Sequence, residues 1–279
     1  MFFKLIATDI DGTLLNDHMT LSDENIAAIK KAQAHGIRVV LCSGRSPGTM
    51  QGYETQLGLL DNDDNYGIGF NGATVYRTTT REVLAGHTIS KDTAAAIVEK
   101  VQSLSSEVLL AAYLDNETVI AQDGLQTIMD KFNVGTRVVN HYHSAFTPDL
   151  FTKDPLNVYL IQYREKLLPI YEALQKDPFP GVRLSFTQEH LLEFMPESMN
   201  KAQGLQALAD RLGMDMSQIV TVGDNYNDLE MIQASGYGVA VANAVEELKQ
   251  AADHVTSASN NQSALAEVVD LVIEMNTGK

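Results

Sequence analysis

The chain has 279 residues, with 20 Lys and Arg against 36 Asp and Glu, and so a formal charge of −16. That length fits about two domains, and a hydrophobic fraction of 44% excludes wholesale disorder. A chain this acidic, with no basic run, repels nucleic acid and anionic membrane surfaces. By itself the charge also works mildly against phosphorylated ligands. The single cysteine, Cys42, excludes an intrachain disulfide framework. The apolar start stops at Asp9, too early for a signal-peptide core, and no apolar run is long enough to span a membrane. A soluble, cytoplasmic protein is expected.

The first 80 or so residues alternate between strand and helix patterns. Phe2 to Thr8 is a short apolar run that breaks into Asp-Ile-Asp-Gly, the pattern of a buried strand ending in a loop. Ser22 to His35 predicts a helix, with Asp23 and Glu24 in its first turn and Gly36 beyond its end. Ile37 to Cys42 predicts a second strand ending at Ser43-Gly44-Arg45. Ser46 to Leu57 predicts a helix, with Pro47 in its first turn. A third strand is expected at Ile68 to Phe70, ending at Asn71-Gly72.

The last 80 residues repeat the alternation. Helices are predicted at Lys201 to Leu212, near Leu229, at Ala244 to Ala252 and at Ser263 to Glu274. Strands are predicted at Ile219 to Val222, Tyr237 to Val241 and His254 to Thr256. This is the pattern of a Rossmann-like α/β core, a parallel sheet covered on both faces. Between Val83 and Pro196 five strand-like runs mix with two helices, near Asp92 to Leu104 and Lys166 to Lys176. We expect residues 83–196 to form an inserted α+β domain, and 1–82 with 197–279 to form the core.

The candidate chemistry falls at the carboxyl ends of the predicted core strands, where open α/β sheets bind ligands. Asp9 and Asp11 stand two residues apart on one side of an extended backbone, followed at once by Gly12. Two close carboxylates need a cation between them or a shared proton. A solvated turn would explain the same residues. Gly223-Asp224-Asn225-Tyr226-Asn227-Asp228 offers hard oxygen ligands suited to Mg²⁺, or else helix caps. Ser43-Gly44-Arg45 presents a hydroxyl and backbone N–H groups to an anion, or simply caps a helix. Lys201 could face a phosphate oxygen, or solvent.

Other features are set aside. The acidic loop from Asp61 to Gly67 lacks the Gly and Glu that a calcium loop needs. His141 and His143 share a strand face without an evident third ligand. Cys42 sits in an apolar run, as a buried core thiol does. Gly236-Tyr237-Gly238 lacks the placement of a dinucleotide fingerprint.

Asp9-Ile-Asp-Gly-Thr-Leu14, Ser43-Gly-Arg45, Asn71-Gly-Ala73, Asn200-Lys201 and Gly223-Asp-Asn-Tyr-Asn-Asp228, in that order, resemble the haloacid dehalogenase superfamily. Within it the chain resembles the Cof-type sugar-phosphate phosphatases, whose α+β cap lies where the insert falls here. The resemblance runs the full length. It implies a Mg²⁺-dependent phosphatase acting through an aspartyl-phosphate on a small phosphorylated metabolite, with the cap selecting the substrate.

Asp9 would be the nucleophile. Asp11 would be the acid and then the base, its backbone carbonyl reaching the metal. Ser43, Gly44 and Asn227 would hold phosphoryl oxygens, and Lys201 would neutralise them and orient Asp9. Asp224 would bind Mg²⁺ with Asp228 supporting it. Two positions depart from the usual pattern: Ala202 follows the lysine where many relatives have Gly, and Ser43 stands for the frequent Thr. A sugar phosphomutase shares this chemistry. A receiver-like signalling module fits less well because of the insert and Asp11. Sugar phosphates, flavin mononucleotide and pyridoxal phosphate all remain open as substrates, and monomer and dimer are both open.

Overall fold

The computed structural model describes residues 3–115, 119–124 and 141–278. They divide into two units, residues 1–86 with 200–279, and residues 87–199.

In the first unit β1 (Leu5–Thr8), β2 (Arg38–Cys42), β3 (Tyr66–Gly69), β4 (Thr74–Arg77) and β5 (Val83–Gly86) precede the second unit. After it come β12 (Ile219–Gly223), β13 (Tyr237–Ala240) and β14 (His254–Val255). They form one sheet in the order β14-β13-β12-β1-β2-β3-β4-β5. Every pair from β14 to β3 is parallel; β4 and β5 are added antiparallel.

The helices of this unit are α1 (Asp23–Ala34), α2 (Pro47–Gln56), α5 (Lys201–Leu212), α6 (Leu229–Ala234), α7 (Glu246–Ala251) and α8 (Ala264–Thr277). The strand period of two sorts the core. Ile6, Val39, Leu41, Val220 and Val222 pack with Ile29 of α1 and Val268 and Val272 of α8. Leu5, Ala7, Val40, Cys42 and Ile68 point the other way, onto Leu205 and Leu208 of α5. Both faces are therefore covered, as the near-continuous apolar strands predict. α1 starts where Ser22 accepts the N–H of Asn25, and a left-handed Gly36 follows its end.

The hairpin β4–β5 departs from the sequence reading. By sequence Val83 to Gly86 falls in the insert, but its backbone pairs with β4 and extends the first unit's sheet. The first unit therefore ends at residue 86 and resumes at 200, a few residues beyond the expected 82 and 197 at each junction.

Among the described residues the second unit has its own six-stranded sheet, β6 (Leu109–Tyr113), β7 (Val119–Gln122), β8 (His141–His143), β9 (Asn157–Ile161), β10 (Val182–Gln188) and β11 (Leu191–Pro196). The order is β10-β11-β9-β6-β7-β8, antiparallel except between β7 and β8. Helices α3 (Lys91–Leu104) and α4 (Arg164–Gln175) supply Ile97, Val101, Leu167 and Ile170 to a core with Leu110, Val158, Leu160 and Phe194. No described helix is long and apolar enough to cross a membrane.

Candidate active site

β1, β2, β3 and β12 end side by side, and the loops that leave them carry the acidic and polar residues singled out above. Asp9 follows β1 and is 4% exposed. Its backbone N–H bonds the Val222 carbonyl at 2.9 Å, which ties the end of β1 to that of β12. Gly12 turns the chain with a φ of +78°, and a Cβ there would lie 2.5 Å from Oδ2 of Asp224. Only glycine lets the first loop lie flat against the second acidic cluster. Thr13, fully buried, then donates its hydroxyl to Asp224 Oδ1 at 2.7 Å.

Lys201 opens α5 and is fully buried. Its Nζ stands 2.6 Å from Asp9 Oδ1 and 2.6 Å from Asp228 Oδ1. The other Asp228 oxygen accepts the backbone N–H groups of Asp224 at 2.9 Å and Asn225 at 3.1 Å. Asp228 thus orients both the lysine and the turn that presents Asp224. Helix α5 can approach so closely because glycine meets glycine: a Cβ on Gly204 would lie 2.7 Å from the Gly72 Cα.

Asp9, Asp224 and Asp228 each place a carboxylate oxygen within 4.8 Å of the others'. Three carboxylates share one ammonium, so the cluster carries excess negative charge in a buried place. Burial pushes the Asp9 carboxyl up to about 8 against the pull of Lys201, with Asp228 adding to the rise. Asp224 is also raised, first by burial, although the Thr13 hydroxyl works against it. Burial disfavours the charge on Lys201, but Asp9 and Asp228 overcome it and hold the ammonium above the usual lysine range. An all-oxygen set of this kind, with surplus negative charge, fits a hard divalent cation such as Mg²⁺.

The Asp11 side chain stands outside that cluster. Arg45 grips it with two hydrogen bonds, Nε to Oδ2 at 2.8 Å and Nη2 to Oδ1 at 2.7 Å. The guanidinium also lies over the Tyr53 ring, 5.3 Å from its centroid. Ser43 is buried, and its hydroxyl accepts the Arg45 N–H at 3.2 Å. Its own N–H is taken by the Ile68 carbonyl at 2.9 Å. The loop after β2 therefore offers an anion the Ser43 hydroxyl and the Gly44 N–H, fewer backbone donors than the sequence suggested. Asn227 is exposed and donates to Asn71 Oδ1 at 3.1 Å.

Three residues near these loops went unassigned in the sequence. Arg45 and Thr13 lie inside the motifs quoted there, so their positions were a signal. Asn243, which donates to the Gly12 carbonyl at 2.7 Å, carried none. Lys201, whose ordinary reading is a surface side chain, is among the most buried groups of the unit. Cys42 is a buried core thiol, and burial pushes it up to about 12. His141 and His143 lie on β8, and neither joins a group of three metal-ligating side chains among the described residues.

A doubly covered α/β sheet whose central strand ends in Asp9, with a buried lysine bonded to that aspartate and to a second one from a neighbouring strand's loop, is the arrangement of a hydrolase class. Residues 6–269 match the haloacid dehalogenase-like hydrolase family, and the chain belongs to it. It is similar to the 5-amino-6-(5-phospho-D-ribitylamino)uracil phosphatase YwtE of Bacillus subtilis, at 30% identity over 97% of this chain and 98% of that one. It is also similar to the phosphatase YwpJ of the same organism, at 28% identity over 95% and 98%. The crystal structure of TM0651 from Thermotoga maritima superposes with a TM-score of 0.83 at 27% identity, covering 97% of each chain. The enzyme is a phosphoric monoester hydrolase.

Proposed function

We infer that the protein is a Mg²⁺-dependent phosphatase of small phosphorylated metabolites, sugar or polyol phosphates first among them, working through an aspartyl-phosphate on Asp9. The observation that carries this reading is the buried set of Asp9, Asp224, Asp228 and Lys201. YwtE, whose named substrate bears its phosphate on a ribityl chain, supports the polyol class.

Asp9 attacks phosphorus through a carboxylate oxygen, and the ester oxygen leaves. A carboxylate nucleophile splits hydrolysis into two easier steps. Lys201 holds Asp9 in one orientation and faces the phosphoryl oxygens with a fixed positive charge. Ser43 and Gly44 donate hydrogen bonds to those oxygens, and Asn227 adds another. Asp11 gives a proton to the leaving oxygen and then takes one from the water that attacks the aspartyl-phosphate. Because Arg45 occupies both of its carboxylate oxygens, delivering that proton requires the fork to open. Mg²⁺, held by Asp9, Asp224 and the Asp11 carbonyl with Asp228 in support, would neutralise charge on the transferring group.

Phosphate release is measured across a panel of sugar, polyol and cofactor phosphates, with and without EDTA. Turnover that stops with EDTA and with Asp9→Asn is the expected result. Equal rates for wild type and Asp9→Asn would sink the reading.

A further inference from the structure

Of the loops at this end of the sheet, the one after β3 has no part in the chemistry described so far. Its backbone is unusual. Phe70, Asn71 and Gly72 have φ values of +51°, +53° and +97° in succession. Residues with a Cβ rarely occupy that region, and two adjacent ones there mark a conformation imposed by surrounding contacts. The contacts are with the site. The Phe70 N–H bonds the Arg45 carbonyl and the Asn71 N–H bonds the Ser43 carbonyl, both at 3.0 Å. Gly72 lies against the start of α5, where a Cβ would sit 2.0 Å from the Asn200 carbonyl oxygen. One turn therefore locks the loop after β2 to the helix that carries Lys201.

The side chain of Asn71 lies in the middle of this arrangement. Its amide atoms Nδ2 and Oδ1 are each 3.1 Å from the place a Cβ on Gly44 would take. Oδ1 accepts the Asn227 amide at 3.1 Å. That bond fixes the plane of the Asn71 amide, and Nδ2 donates to no described residue. The residue is only partly buried, so Nδ2 is open to a ligand. It stands between Gly44 and Asn227, two groups assigned above to phosphoryl oxygens.

Resting on that assignment, we propose that Asn71 is a phosphate-binding residue whose Nδ2 donates to a phosphoryl oxygen of the substrate, beside Gly44 and Asn227. The left-handed backbone is what aims this amide. Asparagine suits the position because it tolerates left-handed φ better than most side chains while supplying both a donor and an acceptor.

Two variants test the assignment, with inorganic phosphate as the probe. Asn71→Gly keeps the left-handed backbone without strain and removes the amide. Asn71→Asp keeps the shape and the acceptor for Asn227 but replaces the donor with negative charge. Phosphate affinity is measured by titration calorimetry in the presence of Mg²⁺, alongside Tm. Asn71→Gly is expected to keep or raise Tm while weakening phosphate binding about tenfold or more, the worth of one hydrogen bond to a charged group. Asn71→Asp is expected to bind more weakly still.

Wild-type affinity in Asn71→Gly, or Asn71→Asp binding as tightly as Asn71→Gly, overturns the proposal and leaves the phosphatase reading intact. If wild type with Mg²⁺ binds no phosphate at all, the phosphatase reading falls and takes this one with it.

Discussion

Lys201 and Asp228 form an ion pair in which neither side chain has any exposure to solvent, at 2.6 Å. The pair is not redundant with Lys201 and Asp9, because the second Asp228 oxygen is taken by two backbone N–H groups of the turn after β12. Removing the Asp228 carboxylate leaves Lys201 with Asp9 alone and strands those backbone donors, and each buried donor left unsatisfied typically costs about 1–3 kcal/mol. Asp228→Asn sets an amide N–H₂ against either the ammonium or the backbone donors, so asparagine does not rescue it. We expect Asp228→Asn and Asp228→Ala to lose stability in that range in urea unfolding. kcat/KM should fall at least about tenfold as Lys201 loses an anchor. A loss under about 1 kcal/mol in both would show that the pair carries no structural weight.

Asp9 gives a pH dependence whose sign can be worked out. Burial pushes its folded carboxyl up to about 8, whereas an unfolded aspartate titrates at about 3.9. The folded form binds its proton more tightly. The stability this adds is therefore complete below the unfolded value and is lost as pH rises toward the folded one. In EDTA, wild type should lose Tm steadily between about pH 5 and about pH 8, and Asp9→Asn should show a flatter profile. Asp9→Asn should also be the more stable of the two at neutral pH without metal, since Lys201 keeps Asp228 and one buried carboxylate is gone. Adding Mg²⁺ stabilises a protein that binds it only when folded. The Mg²⁺-induced rise in Tm should therefore be larger in wild type than in Asp9→Asn. Parallel pH profiles for the two proteins would refute the argument.

The close approach of α5 to the loop after β3 is a packing prediction. A Cβ at position 204 would meet the Gly72 Cα at 2.7 Å and the Ile68 Cγ2 at 2.8 Å. Neither neighbour can yield easily, one being backbone and the other in the core beside Cys42 and Leu205. Gly204→Ala should therefore destabilise by about 1–3 kcal/mol, the usual cost of overpacking, although alanine is the better helix former. It should also lower kcat by displacing the helix end that positions Lys201. Gly204→Ala as stable and active as wild type would mean that the contact is slack.

Much of this arrangement was legible in the sequence. The order of motifs at predicted strand ends located Asp9, Asp11, Ser43, Asn71 and Asp224, because a strand ending in Asp, Gly or Asn marks both a turn and a polar site. The hairpin β4–β5 was not legible. Thr74, Val75 and Tyr76 are all buried, so the strand shows no alternation, and Val83–Gly86 is too short to signal by itself. The burial of Lys201 was invisible for another reason. A lysine becomes a core residue only when two carboxylates from distant loops meet it, and nothing local to Asn200-Lys201 records that meeting. The grip of Arg45 on Asp11 likewise joins two loops that are 34 residues apart.

Glu267, in the first turn of α8, accepts the Ser257 hydroxyl at 2.8 Å, the Ser257 N–H at 2.9 Å and the Ala258 N–H at 3.0 Å. Burial works to raise its carboxyl, but the Ser257 and Ala258 donors outweigh it and hold the group below the usual glutamate range. For a depressed acid the sign is the reverse of that at Asp9. The stability it supplies is present above the unfolded value, near about 4.3, and is lost as pH falls through the lower folded value. The segment it pins leads into Asn260, which donates to the Leu15 carbonyl at 3.1 Å and whose N–H reaches Asn243 at 2.8 Å. Glu267→Gln removes the charge and should flatten the acid limb of the stability curve below about pH 5. It should leave neutral-pH turnover nearly unchanged, since Asn243 still holds the Gly12 carbonyl. Urea midpoints measured from pH 3 to 7 would check this. An acid limb as steep in Glu267→Gln as in wild type would place its origin in other carboxylates.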